Sequence, residues 1–376
     1  MSLRPQELWP PERMQEYFYD LVSGGKTGST ATMLRGGLRI LESPYCAAVS
    51  LRNFLYNQKI LASRRFPIPI ISVGNLTLGG TGKSPMTAWL CKLFLEQNRK
   101  PGLVSRGYAS ANNHGPNNHG PNNYGNDEFR EMMLRFPNVP HIQNPNRAEA
   151  IRQLLQAGEA DVIILDDAFQ HRQVARDIDM VLLDATSPFG FGHVFPRGTL
   201  REPVGELCRA NIVLLTRSDL VSGQVREKIK QQVLAINPKI IWGETVHEPT
   251  SLYAMDGVPG GYRTEPIESV HGQPALAFCG IGNPEAFRKT LERCGVRIKK
   301  LIPFPDHHWY TPRDIDELLR TAKAFDTDLI LCTMKDLVKL TPLQFSDVRL
   351  RAVLIEIRFL QESEQAVRAA TKRAGG

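Results

Sequence analysis

The sequence predicts an α/β fold: a mostly parallel sheet flanked by helices, then a second, smaller α/β domain, with amphipathic helices in front. Three observations predict it. Short apolar runs at 68–73, 103–105, 162–165, 180–183 and 212–215 alternate with helical or loop stretches, the pattern of parallel strands joined by crossovers. A glycine-rich turn at 74–84 follows the first run directly and leads into a helix beginning near Pro85. The alternation pauses over a Gly/Pro-rich stretch and resumes with runs at 275–279, 329–332 and 353–357. The expected organisation is therefore N-terminal helices at 1–66, a first domain at 67–242, a linker or hairpin at 243–270 and a C-terminal α/β domain at 271–376.

The N-terminal segment is read from its period. Met14, Tyr17, Phe18, Leu21 and Val22 fall on one helical face, and Leu34, Leu38, Leu41 and then Leu51, Phe54, Leu55 repeat the pattern. Between residues 35 and 66 stand six basic residues (Arg35, Arg39, Arg52, Lys59, Arg64, Arg65) and one acid, Glu42. Apolar stripes with basic flanks suit a helix lying on an anionic bilayer, though the pattern alone favours a helix packed on the next domain. The charge-free run at 43–51 is far short of the roughly 18–20 apolar residues that a span needs. The polar start, with Glu7, Glu12 and Glu16, does not read as a secretory signal.

The edge run 240–242 adds a strand to the first domain, and the repeat NNHGP within 111–125 reads as a solvated surface loop. The six cysteines form no C-x-x-C pair or metal-like cluster, so they read as buried thiols in a reducing compartment. A net charge of +7 is compatible with phosphate ligands or an anionic membrane surface. No nucleic-acid motif accompanies it, so no nucleic-acid partner is expected.

The strongest chemical signal is GNLTLGGTGKS at 74–84. A glycine-rich turn between strand and helix aims backbone N–H groups at phosphate oxygens. Gly74, Asn75, Thr77, Gly79, Gly80, Thr81, Gly82, Lys83 and Ser84 are the expected nucleotide contacts. Lys83 would reach the β/γ-phosphates of ATP, and the Ser84 hydroxyl would join the Mg²⁺ shell. The pattern departs from G-x-x-x-x-G-K-[ST] at one place, since Thr77 stands where the first Gly is usual. The second signal is the apolar strand VIIL at 162–165 followed by Asp166 and Asp167, an acid-ended strand of the kind that holds Mg²⁺ beside a phosphate loop. TRSD at 216–219 ends a strand where some such proteins read the base, a weaker signal.

DDAFQH at 166–171 resembles the D-D-G-F-Q-H signature of tetraacyldisaccharide 4'-kinases, with Ala168 for the usual Gly. The glycine-rich loop is similar to theirs, as are SRGY at 105–108, LREP at 200–203, FCGIGNP at 278–284, FPDHH at 304–308 and TMKD at 333–336, all in family order. The resemblance implies a P-loop kinase that moves the γ-phosphate of ATP to the 4'-hydroxyl of tetraacyldisaccharide 1-phosphate, giving lipid IVA. It would act peripherally at the cytoplasmic face of a bacterial inner membrane, with ATP, Mg²⁺, the lipid and an anionic surface as partners and as a monomer. It also implies that Asp127 of GNDE at 125–128 pairs with His307 as the acid–base unit, with Glu128 the alternative if the inserted Asn126 shifts the register. Asp306 would orient His307, and Lys83 completes the catalytic set. Glu202 joins Ser84, Asp166 and Asp167 as a candidate metal contact, and Arg106, Arg147, His171 and Arg201 are the candidate substrate contacts. The rival from another class is a membrane-associated switch ATPase or GTPase. The deviant P-loop of dimerising ATPases carries a signature Lys where this chain has Leu78.

Overall fold

The computed structural model describes residues 11–107, 125–255, 262–340, 345, 348–361 and 363–373. The NNHGP repeat lies outside the described residues apart from Gly125. In chain order the elements are α1 (Pro11–Ser23), α2 (Ser29–Asn57), β1 (Ile70–Asn75), α3 (Lys83–Glu96), β2 (Pro101–Ser105), α4 (Asp127–Arg135), β3 (His141–Gln143), α5 (Arg147–Gln156), β4 (Val162–Asp166), β5 (Ile178–Asp184), β6 (Ile212–Thr216) and α6 (Gly223–Ile236). There follow β7 (Ile241–Met255), β8 (Tyr262–Pro266), β9 (Pro274–Cys279), α7 (Pro284–Arg293), β10 (Arg297–Pro303), α8 (Pro312–Ala324), β11 (Leu329–Thr333), α9 (Met334–Leu337), β12 (Arg349–Leu360) and α10 (Ser363–Arg373). They form two compact units, one of residues 1–106, 139–246 and 357–376, the other of 107–138 and 247–356.

In the first unit the strands run in the order β7-β6-β5-β1-β4-β2-β3, every pairing parallel. β1 lies between β4 and β5, so the direction of the crossovers reverses there, and ligands of open parallel sheets bind at the carboxyl ends beside such a reversal. Both faces are covered, which is why the strands read as unbroken apolar runs rather than alternating ones. Ile151 and Leu154 of α5 pack with Ile70, Ile163 and Leu165 on one side, and Ile229 and Val233 of α6 with Val181, Leu183 and Val213 on the other.

In the second unit β10-β9-β11-β12 are parallel neighbours, and β8 returns antiparallel on the end of β7 at 251–255. Period-2 alternation along β9 sends Leu276 and Phe278 to Ile315 and Leu318 of α8, and Ala275, Ala277 and Cys279 to Phe287 and Leu291 of α7. α8 begins with a reciprocal cap between Thr311 and Asp314 and Pro312 in its first turn.

Several boundaries differ from the sequence reading. The 240–242 run continues as β7 to residue 255, and β7 and β8 make the hairpin of the expected linker. Two strands without an apolar run, β3 and the lysine-rich β10, escape the periodicity altogether. The units also interleave along the chain. Residues 107–138 cluster with the C-terminal elements and 357–373 with the N-terminal ones, because contacts rather than chain order define a core.

α2 is a single 29-residue helix that runs through Pro44, not two. Its docked face is polar. Arg35 donates to the Lys26 carbonyl, the Glu42 carboxylate accepts from Val194 N–H at 2.8 Å and touches His193, and Asn53 donates to Glu202 at 2.9 Å. The apolar residues lie on the other side, with Met33 80%, Ile40 74%, Leu51 59% and Phe54 53% exposed. Packing on the P-loop unit therefore does not explain this stripe.

Candidate functional site

The expected nucleotide contacts belong to the first unit. β1 ends in Asn75 and α3 starts at Lys83, so the 74–84 turn sits at the carboxyl edge beside the crossover reversal. Gly79 and Gly82 take φ of 108° and 90°, left-handed values that aim successive N–H groups to one side. Asn75 braces the turn by donating to the Thr77 carbonyl at 2.8 Å. Residues 76–78 are tied to 199–201 through Leu78 N–H to the Thr199 carbonyl and Arg201 N–H to the Leu76 carbonyl, both 2.7 Å. Thr77 is an isolated bridge partner of Leu200, a strand-like role that a β-branched residue fills well and that accounts for its replacing Gly. A Cβ added at Gly80 would meet nothing within 4 Å, and the buried Thr81 hydroxyl has no hydrogen-bond partner among the described residues.

Asp166 closes β4, whose register pairs it with Val73 of β1, and accepts from Thr87 at 3.4 Å. Ser84, in the first turn of α3, and Asp166 offer hard oxygen donors, the chemistry a Mg²⁺ ion takes when phosphates and water complete its shell. No cluster of three or more His, Cys, Asp or Glu side chains among the described residues could cage a metal alone. Asp167 is differently placed. Its backbone is left-handed at φ 48°, and it meets Lys83 at 3.7 Å and Arg201 at 2.7 Å. Burial would raise its pKa, but Lys83 and Arg201 outweigh burial and lower it.

His171 and Arg147 form a basic corner of the same unit. Arg147 opens α5 and is 2% exposed. Burial, then Arg147, Arg176, Arg106 and Arg52, push the His171 pKa down to about 4, so the ring is neutral at physiological pH. Its Nε2 is buried without a partner among the described residues. Arg106 follows β2 and is exposed. Glu202 is fully buried. Asn53, Gln170 and Arg209 each donate to it at 2.9 Å, so its carboxylate anchors α2 to the sheet unit and presents no open face to a metal.

The expected acid–base pair, Asp127 and His307, belongs to the second unit. Asn126 caps α4 by accepting from Phe129 N–H, which leaves Asp127 free of capping duty, 4% exposed. His307 lies in the loop after β10, its N–H on the Gly280 carbonyl and its backbone left-handed at φ 60°. A bulky residue held there is a strained one, and strain of this kind gathers at functional sites. His307 Nδ1 is 2.8 Å from Asp127 Oδ2. The ionised carboxylate only accepts, so Nδ1 carries the proton and Nε2 keeps its lone pair. The bond to Asp127 raises the His307 pKa against the opposing effect of burial. Burial works to raise the Asp127 pKa, but His307, Lys335 and Lys339 together hold it at about 2.

The register question has a geometric answer: Asp127 meets His307, while Glu128 pairs with Lys335 at 2.9 Å. Asp306 reaches the Nε2 side of His307 at 4.0 Å, not the Nδ1 side that an orienting group would hold. His308 is stacked on Phe304 and bonded to Asp314 at 3.0 Å, a packing role. Sequence reasoning missed Lys335 and Lys339 beside the Asp127–His307 pair, Asn53 and Arg209 around Glu202, and Gln170 and Thr216, which donate to the carbonyls of Asn75 and Thr81 in the glycine-rich turn. Lys335 in TMKD, Gln170 in DDAFQH and Thr216 in TRSD lie in stretches that the sequence singles out; Lys339, Asn53 and Arg209 have no local signal.

Residues 34–372 match the family model of tetraacyldisaccharide-1-P 4'-kinase. The chain is 32% identical to the tetraacyldisaccharide 4'-kinase of Halothermothrix orenii over 87% of its own length and 88% of the relative's. It is 37% identical to that of Syntrophus aciditrophicus over 82% and 84%. It also resembles a crystal structure of LpxK from Aquifex aeolicus in complex with ATP, with a TM-score of 0.71 and 25% identity over 91% of this chain and 100% of that one. A P-loop, an acid-ended strand and an Asp–His pair thus occur in a chain matched along nearly its whole length, and the chain belongs to the tetraacyldisaccharide-1-P 4'-kinase family.

Proposed function

We infer that this chain transfers the γ-phosphoryl group of ATP, with Mg²⁺, to the 4'-hydroxyl of a tetraacyldisaccharide 1-phosphate lipid, giving lipid IVA, at the cytoplasmic face of a bacterial inner membrane. Asp127 and His307 carry the reading: a switch ATPase needs no exposed imidazole held by a buried carboxylate, whereas an alcohol nucleophile needs a base. MgATP supplies an electrophilic phosphorus whose developing charge must be neutralised. The P-loop amides and Lys83 meet that charge, and Ser84 and Asp166 hold the cation. Neutral His307 takes the hydroxyl proton on Nε2 as the oxygen attacks in line, and Asp127 stabilises the imidazolium that results. The basic corner of Arg147, Arg106 and Arg201 provides for the anionic parts of the substrates.

Attachment to the bilayer is assigned to α2, which docks by polar side chains and leaves an apolar stripe outward. No helix among the described residues is long and apolar enough to cross a membrane. The test is mass spectrometry of the lipid after incubation with MgATP in detergent micelles. A product heavier by one phosphoryl group, absent with Lys83→Ala, is expected. ATP turnover indifferent to the disaccharide lipid, with no phosphorylated product, would return the chain to the switch class.

A further inference from the structure

Asp127 Oδ2 has a second partner besides His307: Lys339 Nζ, 3.5 Å away. The Lys339 side chain is 1% exposed, and its Nζ makes no hydrogen bond among the described residues. Its other charged neighbour is Asp336 at 3.9 Å. Asp336 in turn accepts from Gly280 N–H, Tyr310 and Thr333 at 3.0, 2.9 and 2.6 Å. Among the described residues the buried Lys339 ammonium is held by charge, at one oxygen of the Asp127 carboxylate and more distantly at Asp336.

Resting on the dyad reading, we propose that Lys339 is a positioning residue whose buried ammonium keeps Asp127 ionised and in place while His307 is neutral. The need arises from the cycle itself. His307 must lose its proton to act as a base, and at that moment Asp127 loses its cationic partner while 3% exposed. A carboxylate left so would draw the imidazole proton toward itself or turn away. Lys339 stays when the imidazolium charge goes. The other charged or titratable groups facing this cluster are Lys335, which is paired with Glu128 and near Glu131, Asp306 on the Nε2 side, and the Cys332 thiol. Lys335 pairs with Glu128 at 2.9 Å and adds its charge at Asp127 from farther off, so Lys339, at 3.5 Å, is the ammonium in ion-pair reach of the Asp127 carboxylate.

The sign follows from electrostatics. Removing a cation from beside the pair raises its affinity for the proton that His307 carries, so the ring should titrate higher by roughly one pH unit. The experiment is an NMR titration of the His307 ring in the ligand-free full chain, with its resonance assigned by loss in His307→Gln. Lys339→Met should raise that pKa and shift the acidic limb of the kcat–pH profile up by the same amount, with KM for ATP unchanged. Lys339→Arg should restore both. An unmoved ring titration, or a kcat lowered equally at every pH, would overturn the proposal and leave Lys339 a packing residue. If Lys339→Met does not fold, the double variant with Asp127→Asn decides. A folded double variant supports charge neutralisation, and an unfolded one sinks it. Undiminished turnover in His307→Ala would instead sink the dyad reading, while the ring titration would still report on Lys339.

Discussion

His307 and Asp127 lie 180 residues apart in the chain and are bonded at 2.8 Å, so they are expected to act as one unit. His307→Ala and Asp127→Asn should each lower kcat by ~10²–10⁴-fold with ATP affinity by calorimetry unchanged. The double variant should lose about as much as the worse single one, because half a dyad has little left to lose. Multiplicative losses would separate the two residues. Activity requires neutral His307, so kcat should climb as pH rises through its raised pKa, and Asp127→Asn should move that limb down. Stability runs in the opposite sense for the imidazole. Its folded pKa is raised above 6.5, so its contribution is complete below that value and fades as pH rises through the raised one. The Asp127 contribution, with the pKa lowered from 3.8 to about 2, is present above the ordinary value and fades as pH falls toward 2.

The β1–turn–α3 element owes its shape to close approach as much as to its glycine-rich turn. A Cβ on Gly74 would meet Phe169 Cβ at 2.5 Å and its backbone nitrogen at 2.7 Å. Phe169 follows Asp166, Asp167 and Ala168, so this contact sets the end of β4 against the glycine-rich turn, and neither backbone can give way cheaply. Gly74→Ala should cost about 1–3 kcal/mol of stability, as overpacking does. It should also weaken ATP binding, since any relief moves the turn. A thermal melt and nucleotide titration check it; a variant matching wild type in both would mean that the two segments are not registered through Gly74.

At the scale of the whole molecule, a net charge of +7 and the outward apolar stripe of α2 act together. Replacing Met33, Ile40, Leu51 and Phe54 by Ser should leave stability nearly untouched, because exposed side chains away from special features shift it by only about 0.5 kcal/mol. The same variant should lose co-sedimentation with anionic vesicles and raise the apparent KM for lipid but not for ATP. Reversing Arg39, Arg64 and Arg65 to Glu should weaken attachment chiefly at low salt, since screening acts over ~8 Å at physiological ionic strength. Arg35 is excluded from that set because its guanidinium holds the Lys26 carbonyl at 2.8 Å. Vesicle binding that survives both variants would place the membrane contact elsewhere.

The sequence by itself determined the parallel sheet of the first unit, its phosphate turn and the acid-ended strand. Strands buried on both faces are apolar throughout, and a glycine-rich turn writes its function in consecutive residues. The motif resemblance extended that to Asp127 and His307, but with the register open between Asp127 and Glu128. Only the tertiary structure decided what depends on residues far apart in the chain. It set Asp127 rather than Glu128 against His307 and put Lys339 behind the carboxylate. It drew Glu202 into a buried anchor for α2 and turned the stripe of that helix outward. Periodicity tells that a helix has two faces, but which face meets protein depends on partners such as Glu202, 149 residues from Asn53.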